Sequence, residues 1–321
     1  MRNKLLLIIL SIIILLGLIT YFFFYKDKEK ETVRLPDSNH VEQKSGIEIQ
    51  EPVQNQEVTL AEEQEEEVSS QIVNERGITL EERYNPPSHF VRVSVQEDSF
   101  GAFLRKTKLK PYGEKVLYYN GQTKASEGVY DSVIDVQIGD RDLHQCADAI
   151  MLLRAEYLYT KQAYDQISFK FSNGFEAEYQ KWMDGYRIHR DGDHFSWSKQ
   201  SSFTNDYENF RKYMNLVFAY AGTATLEKEL NSVSLEDMAI GDIFIKGGSP
   251  GHAVIVVDMA ENTLTNEKAF ILAQSYMPAQ QTQILINPAN EEISPWYRVD
   301  LNNPLLTPEW TFEASQLKRF P

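Results

Sequence analysis

The sequence predicts an α+β domain in which helices pack on a largely antiparallel sheet. Three observations carry that expectation. Alternating apolar runs of strand length recur from Phe90 onward, two long segments between them have helical spacing, and Asn120-Gly121 and Asp191-Gly192 are hairpin signals. At 321 residues the chain has room for one large domain plus accessory segments, and no internal repeat divides it.

After a short tail over residues 1–4, residues 5–25 form an apolar run without a charge. At roughly 1.5 Å per residue it would span about 30 Å, the depth of a bilayer core. Arg2 and Lys4 precede it, and Tyr21 and Tyr25 sit toward its far end, where an aromatic belt is expected. A cleaved secretory signal is the competing reading. Against it, Phe22, Phe23 and Phe24 stand where a signal peptidase needs small residues, and the run is long for a signal core. An uncleaved single-pass membrane anchor is therefore expected, with a short cytoplasmic N-terminus and an extracytoplasmic bulk, periplasmic or at the cell surface.

Residues 26–85 read as an acidic disordered linker. Residues 26–89 hold 7 Lys/Arg against 16 Asp/Glu, a net of −9 out of the chain's −15. Such a composition buries too little apolar surface to offset chain entropy. The globular domain, residues 86–321, is then only mildly acidic, and no part of the chain has the basic stripe of a nucleic-acid binder.

Within the domain, residues 89–95, 115–119 and 133–138 alternate like strands. Asp140 or Asp142 is placed to cap a helix running to about Thr160, with Ala149, Ile150, Leu153, Tyr157 and Leu158 at helical spacing. Residues 167–171 read as a strand, 175–183 as a helix, 188–195 as a hairpin and 207–221 as a second long helix. Strands follow at 243–246, 252–258, 269–275 and 281–286, then an irregular Pro-rich tail that Trp296 and Trp310 pack down.

Chemistry is concentrated in few residues. Cys146 is the sole cysteine and lies at the start of the first long helix, where unpaired N–H groups and the helix dipole favour a thiolate. It also shares a helical face with Ile150, Leu153 and Tyr157, so it equally fits a buried structural thiol. His252 opens a buried strand after the loop Gly247-Gly248-Ser249-Pro250-Gly251 and needs a partner for at least one ring nitrogen. It reads either as a structural histidine bonded to that loop or as a general base held by a polar group on the next strand. Gln274, the first polar side chain after Phe270–Ala273, is the best candidate for that group; Asp258, read as closing its strand and capping a turn, is the alternative. A thiol at a helix start and a histidine on a strand are the minimum for a thiol hydrolase. His189, Asp191, Asp193 and His194 suggest a metal set, but an Asp-Gly hairpin turn accounts for the aspartates, and no cofactor is expected. Trp182, Tyr186 and Trp197 read as a sugar-stacking platform or as core.

The order of a helix-start cysteine, Gly241-Asp242-Ile243-Phe244, Gly251-His252-Ala253-Val254 and a polar residue one strand later resembles the papain-like cell-wall peptidases and amidases of the NlpC and CHAP type. That resemblance implies an antiparallel papain-like sheet with packed helices, Cys146 as nucleophile, His252 as base and Gln274 as the residue that sets the imidazole. Cys146 and His252 are 106 residues apart, a spacing that an insertion over residues 165–230 would accommodate. Gln145-Cys146-Ala147-Asp148 stands where those enzymes have Asp-Cys-Ser-Gly. Residues 90–320 are similar to the domain of unknown function 4846 family, through His144–Ala149, Gly247–His252 and Ala273–Pro278. That likeness implies a shared fold and bacterial origin but no established activity. Two functions follow as expectations: a cysteine hydrolase acting on envelope or cell-wall amide bonds, with Gln145 a contributor to the oxyanion site, or a non-catalytic module on the same fold that binds envelope glycan or a protein partner.

Overall fold

The computed structural model describes residues 71–321; the apolar run 5–25 and the linker up to residue 70 lie outside the described residues. Among the described residues no helix is long and apolar enough to cross a membrane.

Order begins upstream of residue 86, where the acidic linker was expected to end. Thr79 caps a short helix α1 (Leu80–Arg83): Thr79 Oγ1 accepts from Glu82 N, and Glu82 Oε2 accepts from Thr79 N at 3.2 Å. Leu80 and Tyr84 are fully buried, and the Arg83 guanidinium is buried against Gly77 O at 2.6 Å and Ser132 Oγ at 2.9 Å. Two apolar anchors in an acidic stretch are enough to dock it, a signal that average composition hides.

The chain then forms β1 (Phe90–Arg92), α2 (Phe100–Arg105), β2 (Tyr130–Val133) and the long helix α3 (Cys146–Thr160). Residues 115–119 make only isolated bridges, Leu117 to Thr123 and Tyr118 to Gln280, rather than the expected strand. The third expected strand falls earlier, at β2, and α3 starts at Cys146 rather than after Asp140 or Asp142. It buries ten of its fifteen residues, Ile150, Met151, Leu152, Leu153 and Ala155 among them, so it is a core helix rather than an amphipathic surface one.

Residues 165–230 hold β3 (Ser168–Lys170), β4 (Glu176–Glu178), α4 (Tyr179–Met183), β5 (Tyr186–Asp191), β6 (His194–Lys199), α5 (Tyr207–Tyr220) and α6 (Thr223–Glu229). The helix expected over 175–183 is split between β4 and α4. The strand pairs β3–β4 and β5–β6 form separate two-stranded sheets, and none of these strands joins the large one. Asp206 caps α5 by accepting from Asn209 N at 2.7 Å, and Phe210, Tyr213, Met214, Val217 and Phe218 bury its i, i+3, i+4 face. Trp182 is core, its Nε1 donating to Asn209 Oδ1 at 2.9 Å, so it belongs to no exposed sugar platform.

The last third supplies β7 (Asn231–Ser232), β8 (Ile243–Lys246), β9 (His252–Asn262), β10 (Lys268–Gln274), β11 (Gln283–Leu285), β12 (Trp296–Arg298), β13 (Leu305–Leu306), β14 (Thr311–Phe312) and β15 (Leu317–Arg319). A nine-stranded antiparallel sheet runs β2-β11-β10-β9-β8-β15-β7, with β1 also on β9 and β12 also on β10. The tail is therefore not irregular: β12 and β15 complete the sheet, and β13 and β14 pair with each other.

Strand β9 is buried on both faces. Ala253, Ile255 and Val257 face the core that holds α3, whereas Val254 and Val256 face a second core with Phe244 and Phe312. A register shift opposite Ile271 and Leu272 reverses this alternation, so Met259 lies with the second core and Ala260 with the first. The same shift re-aims Asp258. It does not close the strand or cap a turn; it lies inside β9 and is fully buried, with Oδ1 accepting from Arg105 Nε at 2.6 Å and Oδ2 from Arg92 Nε at 2.7 Å. It is spoken for, and it is not the partner of His252.

Candidate active site

Cys146 is the first residue of α3, with Gln145 as its N-cap residue. His252 is the first residue of β9, at the end of the sheet. Both line an open cleft of about 470 Å³, together with Gln145, Asp148, Tyr276 and Trp310. The loop before His252 approaches its surroundings closely: a Cβ on Gly251 would lie 2.4 Å from Gly248 O and 2.7 Å from Thr223 Oγ1. Only glycine fits there, and that packing sets the entry of the chain into β9.

Ala273 pairs with Ile255, which leaves Gln274 and His252 diagonal to each other on neighbouring strands. His252 Nε2 meets Gln274 Oε1 at 2.7 Å, as the strand pattern predicts. The imidazole is 1% exposed, with ring centroids of Tyr276, Trp310 and Phe312 at 4.7, 5.5 and 5.9 Å. That apolar setting pulls its pKa down to about 4, against the Gln274 hydrogen bond, which raises it, and with the Lys124 charge, which lowers it further.

The thiol is 7% exposed. Burial and then the nearby Asp148 push it up to about 11, while the backbone amides of Ala147, Ala253 and Cys146 pull the other way. The Ala253 amide belongs to the residue after His252, so the start of β9 reaches the sulfur through its backbone. Among the described residues no hydrogen bond joins the thiol to the imidazole directly. Sheet alternation explains the gap: His252 shares the face of Val254 and Val256, and α3 covers the opposite one. The two groups meet only round the sheet's end, in the cleft. Tyr276 neighbours both, since Cys146 is among the groups that raise its hydroxyl pKa and its ring lies against His252.

With the thiol pushed up to about 11 and the imidazole pulled down to about 4, both groups of the cleft favour their neutral forms near pH 7. Proton transfer in such a site has to accompany attack on a substrate rather than precede it. Gln145 lines the cleft, and its Nε2 donates one of its two hydrogens to Asp142 Oδ1 at 3.1 Å. The oxyanion donors on offer are the backbone N–H groups at the start of α3 and the remaining N–H of the Gln145 amide. A second histidine, His144, is no rival base. It is fully buried, its Nε2 is bonded to Thr282 Oγ1 at 2.9 Å, and it does not line the cleft.

The family profile described as Domain of unknown function (4846) matches residues 80–319. The chain belongs to the domain of unknown function 4846 family. No curated protein and no solved structure matches it. The profile begins at Leu80, the first residue of α1, so the family's domain includes the segment that composition alone assigns to the linker.

Three features of this 4846-family site are not legible in the residue pattern. Trp310, read only as packing for the tail, walls the imidazole. Lys124 and Glu309 lie behind Gln274, 150 and 35 residues from it in sequence, and no local motif links them. Asp148 was visible only as part of an unusual nucleophile context. Its Oδ2 accepts from Gln145 N at 3.0 Å, its Oδ1 is buried without a partner, and burial lifts the carboxyl to about 8 against the pull of the Gln145 and Asp148 amides.

Asp148 carries a pH prediction. In the unfolded chain this carboxyl ionises near 4, so the folded state holds an extra proton between about pH 4 and about pH 8. The stabilising contribution is complete below that window and is lost as pH rises through it. Asp148→Asn keeps an oxygen for the Gln145 amide and cannot ionise. It is expected to match the parent near pH 4 and to exceed it above pH 8, on the order of 3–5 kcal/mol. Urea midpoints at the two pH values measure this, and a parent as stable as the variant at the higher pH would contradict it.

Proposed function

We propose that this protein is a membrane-anchored extracytoplasmic cysteine hydrolase of papain-like build that cleaves envelope or cell-wall amide bonds. The observation that carries the reading is the His252–Gln274 bond at 2.7 Å, on the wall of a cleft that Cys146 lines from a helix start. With Nε2–H donated to Gln274, the ring's Nδ1 carries the lone pair.

In the proposed reaction the Cys146 sulfur attacks the amide carbonyl as its proton passes to His252 Nδ1. The developing oxyanion sits at the N–H groups that open α3. The imidazolium then gives its proton to the leaving nitrogen, the C–N bond breaks, an amine departs and a thioester remains on Cys146. Water attacks the thioester with Nδ1 taking its proton, which releases the acid and restores the thiol. The neutral resting pair suits a substrate that closes the cleft and excludes water as it binds.

The test is to incubate the purified full-length chain, in detergent, with isolated cell-wall sacculi and their soluble fragments. New amino and carboxyl groups are expected to appear in equal number. None appearing from any wall or envelope-peptide substrate would sink the reading.

One observation favours a second reading, a non-catalytic binding module. The thiol is buried, pushed up to about 11 and without a hydrogen bond to His252 among the described residues. That reading expects saturable binding to wall fragments that is indifferent to Cys146→Ala.

A further inference from the structure

Behind the His252–Gln274 pair lies a polar chain, buried except for the partly exposed Glu309. Gln274 Nε2 donates to Glu309 Oε2 at 2.6 Å, and Lys124 Nζ sits 2.9 Å from both Glu309 oxygens. Lys124 Nζ also donates to Gln280 Oε1 at 2.9 Å, which in turn accepts from Gln283 Nε2 at 3.0 Å. Gln274, Gln280 and Gln283 are buried, as is Lys124.

The direction of every bond in this chain follows from two groups that have no choice. An ammonium only donates, and a carboxylate paired with it only accepts. Glu309 therefore requires the NH2 end of the Gln274 amide. The amide's oxygen must then face His252, and His252 Nε2 must carry the ring proton. A neutral imidazole has one N–H, so Nδ1 is left unprotonated. Without the carboxylate, the Gln274 amide has no reason to prefer either orientation, and neither does the ring.

We infer that the Lys124–Glu309 ion pair is a positioning device: it orients the Gln274 amide and thereby locks His252 in the Nε2–H tautomer. Neither residue touches the cleft side of the imidazole. The catalytic meaning of the lock rests on the proposed hydrolase reading, because Nδ1 is the base only in that tautomer. The lock itself is a property of the resting protein and is read without substrate.

The experiment is a long-range 1H–15N correlation spectrum of the imidazoles in the full-length chain in detergent micelles, near pH 7. The His252 signals are assigned by their loss in His252→Ala. The wild type is expected to show Nε2 protonated and Nδ1 bare. Two variants test the cause. Glu309→Gln is isosteric and replaces an obligate acceptor by an amide that can turn either way. The double variant Lys124→Met with Glu309→Leu removes both charges together, which spares the cost of stranding either one. In both, the tautomer preference is expected to fall from about tenfold or more to below about threefold, the loss of one directing hydrogen bond.

A wild-type spectrum with Nδ1–H would overturn the inference at once, whether or not any variant folds. So would an unchanged Nε2–H tautomer in either variant. If hydrolysis is found, both variants are expected to lower kcat with KM held, whereas a purely structural role would lower the melting temperature and leave the tautomer alone. A tautomer shift without any detectable hydrolysis leaves the lock standing and counts against the hydrolase reading alone.

Discussion

Replacing Cys146 by alanine is expected to lower amide hydrolysis by on the order of 10³-fold or more while leaving the domain folded. The size follows from the chemistry: without sulfur there is no thioester, and the residual rate would come only from binding and backbone donors. The fold should tolerate the change, since Cys146 is a small side chain at the first position of α3 and only backbone amides reach its sulfur. A stability cost of about 1 kcal/mol is the expected scale. His252→Ala is expected to cost about 10²–10⁴ in kcat, the usual worth of a positioned base. The two losses should not add, because both residues serve one step of the proposed reaction. A double variant much slower than either single one would mean that they act separately. Rates on wall fragments beside far-UV circular dichroism separate a chemical loss from unfolding.

The second large effect is on stability. Asp258→Ala is expected to destabilise the domain by about 3–5 kcal/mol. Its carboxylate accepts from Arg105 Nε at 2.6 Å, from Arg92 Nε at 2.7 Å and from the backbone of Met259 at 2.8 Å. The two guanidiniums also donate to main-chain oxygens, Arg105 to Met259 at 3.0 Å and Arg92 to Glu81 at 3.1 Å and to Tyr84. One side chain thus ties β9 to α2, to β1 and to the α1 segment that begins the family's domain. Alanine would leave two cations, one of them buried, with no counter-charge. Against a total stability of about 5–15 kcal/mol, that loss is a large part of the whole. Urea unfolding measures it, and a shift below about 1 kcal/mol would show that the cluster is solvated in a way its burial does not suggest.

How much of this was legible in the chain depends on the range over which each feature is encoded. The Gln274–His252 contact follows from two strands with clear alternation and a short connection, so residue pattern alone finds it. The α+β class and the existence of α3 rest on local apolar spacing as well, although the helix starts at Cys146 rather than at the expected aspartate cap. Asp258 is not legible because a charge after an apolar run predicts a strand end; a buried charge within a strand is intelligible only with Arg92 and Arg105, 166 and 153 residues away, in view. The Pro-rich tail hid β12 and β15 for a similar reason. Three-residue strands carry almost no periodicity of their own and are defined by the sheet edge they join. The start of the domain was misplaced because acidic composition outweighed the anchors Leu80 and Tyr84. The resting protonation of the site was not legible at all, since a helix start predicts a lowered thiol and burial beside Asp148 reverses that sign.

The proposed hydrolase stands on one step, a covalent bond from Cys146 to substrate. The most direct measurement is the intact mass of the full-length chain, quenched in acid within milliseconds to seconds of mixing with cell-wall fragments. A transient adduct is expected that maps to Cys146, is cleaved by hydroxylamine as a thioester must be, and is absent in Cys146→Ala. Turnover of the same fragments that persists in Cys146→Ala, with no adduct on the wild-type thiol, would contradict it.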